Sequence, residues 1–120
     1  METNQGIETF FAGTRQAWRQ WLKVHGESKK EVCLIIYHKK SKIQCLDHNE
    51  AVEEALCFGW IDSKANKRDE ESYYQRFSPR RLRSNWSKTN VGRAKRMIKI
   101  GLMTENGLRL VNIAIENEGI

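Results

Sequence analysis

Apolar residues with helical spacing follow Thr14, and this pattern predicts the first helix of the chain. Thr14 is a suitable N-cap, and the helix extends to about His25. Trp18, Trp21 and Leu22 stand at i, i+3 and i+4, so they share one face. We interpret these three side chains as core.

A second helix is indicated by Asp47 and Glu50, which have the spacing of a capping box. The helix is expected to end at Gly59. Its inward-facing residues are predicted to be Ala51, Val52, Ala55, Leu56 and Phe58.

Three strands are predicted from apolar and alternating segments. EVCLIIYHKK (31–40) is apolar at consecutive positions, which favours a central strand. GWIDSKANKR (59–68) and ESYYQRFSP (71–79) indicate two more strands. The polar stretch KANKRDE (64–70) between them is turn-like, so a hairpin is expected.

Two further helices are predicted near the end. Ser87 caps one that ends at Gly101, with its apolar and basic residues on opposite sides. Its apolar side is predicted to hold Val91, Ala94 and Ile98, and its basic side Lys88, Lys95, Arg96 and Lys99. Thr104 begins the last helix, whose apolar residues are Leu108, Val111 and Ile115.

The resulting order is α-β-α-β-β-α-α, which indicates an α+β fold with a small antiparallel sheet of about three strands and about four helices. The 120 residues have no repeat, linker or low-complexity tract, so we expect one domain spanning residues 1–120.

Composition predicts a cytoplasmic protein. Hydrophobic residues make up 39 % of the chain and charged residues 30 %, as in ordinary globular domains. No apolar run is long enough to span a bilayer, and the first residues lack the basic region of a signal peptide. The three cysteines have no CxxC spacing and leave one unpaired in any disulfide scheme, which favours a reducing compartment.

Positive charge is concentrated in one segment. The net charge is +6, yet residues 72–104 carry nine Lys or Arg and no acid, while the rest of the chain carries twelve basic and fifteen acidic residues. This asymmetry indicates an anionic partner, although basic residues that only solvate a helix and a loop would give the same pattern.

Three long motifs resemble those of one bacterial family. ALCFGWIDSK (55–64), YYQRFSPRRLRSNWSKTN (73–90) and GLMTENGL (101–108) are similar, in order and spacing, to the signature of the YdeI/OmpD-associated family. The resemblance covers about residues 10 to 118. It implies a role in bacterial protection against bacteriocins or in envelope stress, with no established reaction. Ser63 stands where that family usually has glycine, and the family's C-terminal helical segment is not part of this sequence.

A candidate anion site falls within the first two motifs. Its predicted ligand-binding residues are Trp60, Asp62, Arg80, Arg81, Trp86 and Asn90. Guanidinium groups bind carboxylate or phosphate in a bidentate manner, and the start of a helix adds free N–H groups. The ligand would be a small anion or an acidic protein segment. Each residue also has a structural interpretation: Trp60 as core, Asp62 paired with an arginine of RFSPRR, and Ser87 with Asn90 as an ordinary helix start.

Two other functions remain open. The same cluster would serve an enzyme in which Asp62 is the acid or base. Alternatively, the basic segment 76–99 would bind nucleic acid through the lysine- and arginine-bearing face of its helix, although no nucleic-acid-binding motif is present. We expect no metal and no cofactor, because the histidines and cysteines have no ligand spacing and no phosphate-binding loop occurs.

Overall fold

The residues that the structure describes form five strands and four helices. The computed structural model describes residues 2–82 and 85–118, with side chains up to residue 116. The elements are β1 (Thr3–Asn4), β2 (Ile7–Phe11), α1 (Arg15–His25), β3 (Val32–Tyr37), α2 (His48–Cys57), β4 (Trp60–Lys67), β5 (Ser72–Pro79), α3 (Lys88–Lys99) and α4 (Glu105–Glu118). The fold is therefore α+β with four helices, as the sequence predicts.

The sheet is larger than predicted, and it is mixed. Its strand order is β1-β2-β3-β5-β4. The expected strands β3, β4 and β5 are present and antiparallel, with β4 and β5 forming the predicted hairpin. However, β2 runs parallel to β3, and α1 forms the crossover between them. The expectation of about three antiparallel strands is thus wrong in number and in orientation.

The two additional strands result from a tight turn near the N-terminus. Gln5 and Gly6 both have positive φ, at 52° and 79°. Two consecutive residues with positive φ are typical of the two-residue turn that joins antiparallel strands, and here they join β1 to β2. Gln5 carries the strain, because only glycine adopts this region freely. A Gln-Gly pair is a weaker signal for such a turn than Asn-Gly or Asp-Gly. The sequence therefore predicts no strand before Thr14.

Aromatic rings fill the space between the sheet and α1. Trp18 stacks on Trp21 with ring centroids 5.4 Å apart and lies 5.2 Å from Phe77 of β5. Phe10 of β2 lies 6.1 Å from Trp21. Thr14 caps α1 by accepting a hydrogen bond from the N–H of Ala17. The predicted core role of the α1 tryptophans is confirmed.

The predicted faces of α3 and α4 are only partly right. In α3, Val91 and Ala94 are buried, but Met97 fills the core position in place of Ile98, which is exposed. In α4, Val111 is buried whereas Leu108 is exposed. The next buried residue of an amphipathic helix can follow after three or after four positions. After Ala94 both positions are apolar, Met97 and Ile98, so the sequence alone does not decide which of them is buried.

Helix α2 is buried from Ala51 to Cys57, a stretch that includes two adjacent acidic residues. Glu53 and Glu54 are 5 % and 2 % exposed. Arg15 Nη2 lies 2.9 Å from Glu53 Oε1 and 2.6 Å from Glu54 Oε2. Arg19 Nη1 lies 2.9 Å from Glu54 Oε1, and Arg96 Nη1 lies 2.7 Å from Glu53 Oε2. Arginines from α1 and α3 therefore neutralise the buried carboxylates and join three helices.

Glu2, which precedes β1, fastens that strand to the β4–β5 hairpin. Its carboxylate accepts hydrogen bonds from Arg68, at 2.7 Å from Nε and 3.1 Å from Nη2, and from the hydroxyl of Tyr74. These hydrogen bonds lower the pKa of Glu2 from 4.5 to about 2. Glu2 is thereby linked to residues that lie 66 and 72 positions further along the chain.

Replacing Glu54 with glutamine should strongly destabilise the fold, because Arg15 and Arg19 would lose a buried partner. We expect the free energy of unfolding to fall by about 3 kcal/mol, the low end of the range for a broken buried pair, since both arginines retain some contact with water. Urea denaturation measures this change. The control is Glu70→Gln, which removes a fully solvated pair with Lys67 and should cost less than about 0.5 kcal/mol. Equal costs for the two variants would contradict the role given to the buried carboxylates.

The Glu2 contact should make stability depend on acidity. A carboxylate whose pKa is lowered in the folded state stabilises the fold above its unfolded pKa, and this stabilisation is lost as the pH falls through the folded value. For Glu2 the loss falls between about pH 4.5 and pH 2. The Tm difference between the native chain and Glu2→Gln should therefore be largest near neutral pH and shrink over this window. An NMR titration of the Glu2 carboxyl with a midpoint near 4.5 would contradict the contact.

Candidate functional site

Arg80, which follows β5, stacks on Trp86, which precedes α3. The guanidinium carbon of Arg80 lies 3.9 Å from the ring centroid of Trp86, and both residues are buried. Arg80 Nη2 donates to the carbonyl of Asn85 at 2.5 Å, and its backbone N–H donates to Gly59 at 2.7 Å. Arg80 and Trp86, both predicted to bind ligand, are brought together, and their contact with each other holds the loop.

Trp60 belongs to the core. It is 1 % exposed, and its indole N–H donates to the carbonyl of Gly26 at 3.0 Å. Its ring meets Trp21 edge to face at 5.6 Å. The structural interpretation of this tryptophan is therefore the one that the fold supports.

Asp62 pairs with a histidine and not with an arginine. His48 Nε2 lies 3.1 Å from Asp62 Oδ2. The side chain of His48, the first residue of α2, is 42 % exposed, and that of Asp62 is 24 % exposed. The expected pairing of Asp62 with an arginine of RFSPRR is wrong. The arginines of that motif that the structure describes are Arg76 and Arg80, which contact Glu31 and Trp86, and Arg81, which is exposed.

Asn90 helps to fix the start of α3. Its backbone N–H donates to the hydroxyl of Ser87 at 3.1 Å, which confirms Ser87 as N-cap. Its side-chain oxygen accepts from Arg93 at 2.8 Å, and Arg93 also donates to Asn49 of α2 at 2.9 Å. Arg81, in contrast, has no hydrogen bond or ion pair with any residue that the structure describes.

Exposed lysines form a row on the outer face of α3. At 100° per residue, Lys88, Lys95 and Lys99 fall within about 40° of one another and extend over about 16 Å. We call these three residues the lysine stripe. All three are exposed and have no ion-pair partner within the described part of the chain. Gly92 lies within the stripe, whereas Arg96, predicted to share this face, is held by Glu53.

A small cavity lies beside the His48–Asp62 pair. It has a volume of about 170 Å³ and lies between the end of β3, the start of α2 and Tyr73 of β5. His38 stacks on Tyr73 with ring centroids 5.4 Å apart. Burial, with a contribution from nearby acidic groups that include Asp62, raises the pKa of Tyr73, so its hydroxyl keeps its proton. Sequence reasoning missed His48 and Tyr73, because only the fold brings His48 to Asp62 and Tyr73 to the same cavity as His48.

Cysteine chemistry and metal binding find little support. Cys33, Cys45 and Cys57 are free thiols. Burial raises the pKa of Cys57 to about 11, so this residue is a small core side chain. Among the described residues, no group of three or more His, Cys, Asp or Glu is placed to hold a metal ion. Likewise, no helix within these residues is long and apolar enough to cross a membrane.

The third motif packs α4 against the end of α2. The hydroxyl of Thr104 donates to the carbonyl of Cys57, and the N–H of Gly107 donates to the Thr104 hydroxyl at 3.3 Å. A Cβ at Gly107 would lie 2.4 Å from the carbonyl oxygen of Cys57 and 2.7 Å from that of Leu56. The glycine thus permits a close helix crossing, and the motif has a structural explanation.

Gly107→Ala should destabilise the protein, since the new methyl group would meet two backbone carbonyls. We expect a loss of about 2 to 3 kcal/mol in the free energy of unfolding, measured by urea denaturation. The matched control is Gly92→Ala, in the middle of α3, where no atom lies within 4 Å of the new Cβ. That change should stabilise by about 0.5 to 1 kcal/mol, because alanine is favoured in helix interiors. A neutral Gly107→Ala variant would show that α4 does not approach α2 so closely.

The comparisons with known proteins identify a family without a known function. No curated protein and no solved structure matches the chain. The resemblance to the YdeI/OmpD-associated family is not tested by these comparisons and stays a prediction. Residues 10–110 match the family model DUF8412, described as a domain of unknown function. Because this match covers most of the sequence, the chain belongs to the DUF8412 family.

Proposed function

We propose that the protein is a binding module that holds an acidic protein segment along the lysine stripe of α3. The single observation that carries the proposal is the position of the stripe. Three unpaired lysines lie on one face of a helix that contains no acid, and exposed isoleucines lie beside them. The protein would act by binding and would catalyse no reaction at this surface.

The charge of the stripe is available to a partner. Four arginines of the basic segment are engaged within the chain: Arg76 by Glu31, Arg80 by Trp86, Arg93 by Asn49 and Asn90, and Arg96 by Glu53. Arg83 lies outside the described residues. The remaining cations are Arg81 and the three lysines, which are exposed. Their extended arrangement suits an elongated anion better than a compact one.

Apolar side chains beside the stripe favour a protein partner. Ile98, Ile100 and Leu102 are exposed, Ile100 by 50 %, at the C-terminal end of α3 and in the turn that follows. A phosphate backbone offers nothing that would bury these residues, whereas an acidic segment with interspersed leucines would cover them. Trp86, which lies just before α3, is not available for base stacking because it is buried.

A small anionic ligand at the predicted six-residue site is a weaker proposal. Trp60 is enclosed in the core, and Arg80 and Trp86 are buried against each other, so three of its members present little surface. The role in protection against bacteriocins that the YdeI/OmpD-associated resemblance implies is a separate prediction, which this proposal does not require.

Neutralising the stripe should weaken binding of an acidic amphipathic peptide. The variant is Lys88→Gln/Lys95→Gln/Lys99→Gln, and the probe is a labelled peptide of alternating Glu-Glu-Leu units, followed by fluorescence anisotropy. We expect about tenfold weaker binding, since three exposed ion pairs contribute about 0.5 kcal/mol each.

The matched control removes the same charge elsewhere. Lys30→Gln/Lys40→Gln/Lys42→Gln neutralises three exposed lysines outside α3. It should leave the affinity within about twofold of the native value, because salt screens the long-range effect of distant charges. A further variant, Ile98→Ser/Ile100→Ser, should weaken peptide binding without changing charge. If both lysine variants lose affinity equally, or if only a short RNA binds and the isoleucine variant binds it normally, the proposal is wrong.

A further inference from the structure

The geometry of the His48–Asp62 pair points to a general-base catalytic site, separate from the lysine stripe, that activates water against a small acyl compound. We infer this from three features: an imidazole and a phenol that line the same cavity, and a carboxylate outside the lining that holds the imidazole. The inference does not rest on the proposed binding function, since it concerns other residues.

The hydrogen bond leaves one nitrogen of His48 available as a base. With the proton on Nε2, the ring donates to Asp62 Oδ2 at 3.1 Å, and the lone pair is on Nδ1. Nδ1 has no hydrogen-bond partner among residues 2–82 and 85–116. An imidazole that is oriented by a carboxylate and remains 42 % exposed can reach a water molecule in the cavity.

The cavity also contains a hydrogen-bond donor for the carbonyl oxygen of the substrate, which becomes negatively charged during the attack. Tyr73 lines it, and its hydroxyl can donate a hydrogen bond to an oxyanion. The stacked ring of His38 holds the phenol side chain in place. Asp62 would act as a positioning residue, because it contacts the imidazole and not the substrate.

The volume restricts the substrate. At about 170 Å³ the cavity is smaller than most ligand pockets, which are roughly 300 to 1,000 Å³. Ile36 gives one apolar wall. A small acyl group, such as acetyl, fits these dimensions, with the leaving group directed to solvent.

The reaction balances without a cofactor. Water attacks the carbonyl carbon while its proton passes to Nδ1 of His48, and the oxygen of the substrate accepts the electron pair and the Tyr73 hydrogen bond. The tetrahedral intermediate then collapses, the bond to the leaving oxygen breaks, and that oxygen departs with the electron pair. The proton of the imidazolium passes, directly or through solvent, to the departing oxygen, so the products are a carboxylic acid and an alcohol or phenol.

The test is hydrolysis of p-nitrophenyl acetate by the full chain, compared with free imidazole at the same histidine concentration. We expect the native protein to exceed imidazole, and His48→Gln to lower the enzymatic rate by roughly tenfold or more. His25→Gln is the matched control, because His25 lies at the end of α1 outside this cavity, and it should leave the rate unchanged. A native rate no higher than that of imidazole, or equal losses in the two variants, would overturn the inference.

Two further variants separate catalysis from folding. Asp62→Asn keeps His48 but removes the carboxylate that orients its ring, so kcat should fall with little change in KM. The other charged or titratable groups at the cavity are Tyr37, His38, Lys39, Asp47 and Tyr73, and they are unchanged in this variant. Tyr73→Phe should lower kcat with little change in KM. If His48→Gln does not fold, an unchanged kcat in a folded Asp62→Asn variant would be sufficient to reject the site.

Discussion

Two adjacent carboxylates inside the protein are the constraint on which the arrangement of the helices depends. Residues 51–57 of helix α2 are all buried, so Glu53 and Glu54 cannot point to water. An isolated buried charge costs many kcal/mol, and the cost is avoided only when cations with good geometry surround it. Arg15 and Arg19 supply these cations from α1, and Arg96 supplies one from α3. The rotation of both helices about their axes is therefore fixed by polar contacts as well as by apolar packing.

The same constraint decides which positive charges remain on the surface. Arginine has a planar fork that can bind two acceptors and stack on rings, whereas the ammonium group of lysine is strongly hydrated. In the basic segment the described arginines, except Arg81, are used within the chain, while Lys88, Lys95 and Lys99 point outward. A count of basic residues thus overstates the charge that a partner meets, and the type of residue predicts its use better than the count does.

Local signals made much of the fold predictable, whereas long-range pairing did not follow from the sequence. The caps at Thr14, Asp47 and Ser87 depend on residues three positions away, and all three are confirmed. The parallel pairing of β2 with β3 depends on a crossover through α1, for which the short segment Ile7–Phe11 has no distinct pattern. At the candidate site, the nearby arginines of the motif suggested a partner for Asp62, but the fold supplies His48 from another element.

The first turn of α2 makes contacts with both the sheet and helix α3. The capping box of Asp47 and Glu50 fixes the start of the helix. The next two residues then bond different neighbours, since His48 reaches Asp62 of β4 and Asn49 reaches Arg93 of α3. The start of α2 is therefore held by β4 on one side and by α3 on the other, which limits the movement of the residues that it carries. Such rigidity is what a general base requires, because proton transfer depends on geometry within a few tenths of an ångström. A purely structural ion pair would serve equally well on a mobile loop, so the rigid support of His48 is the feature of this fold that favours a chemical role.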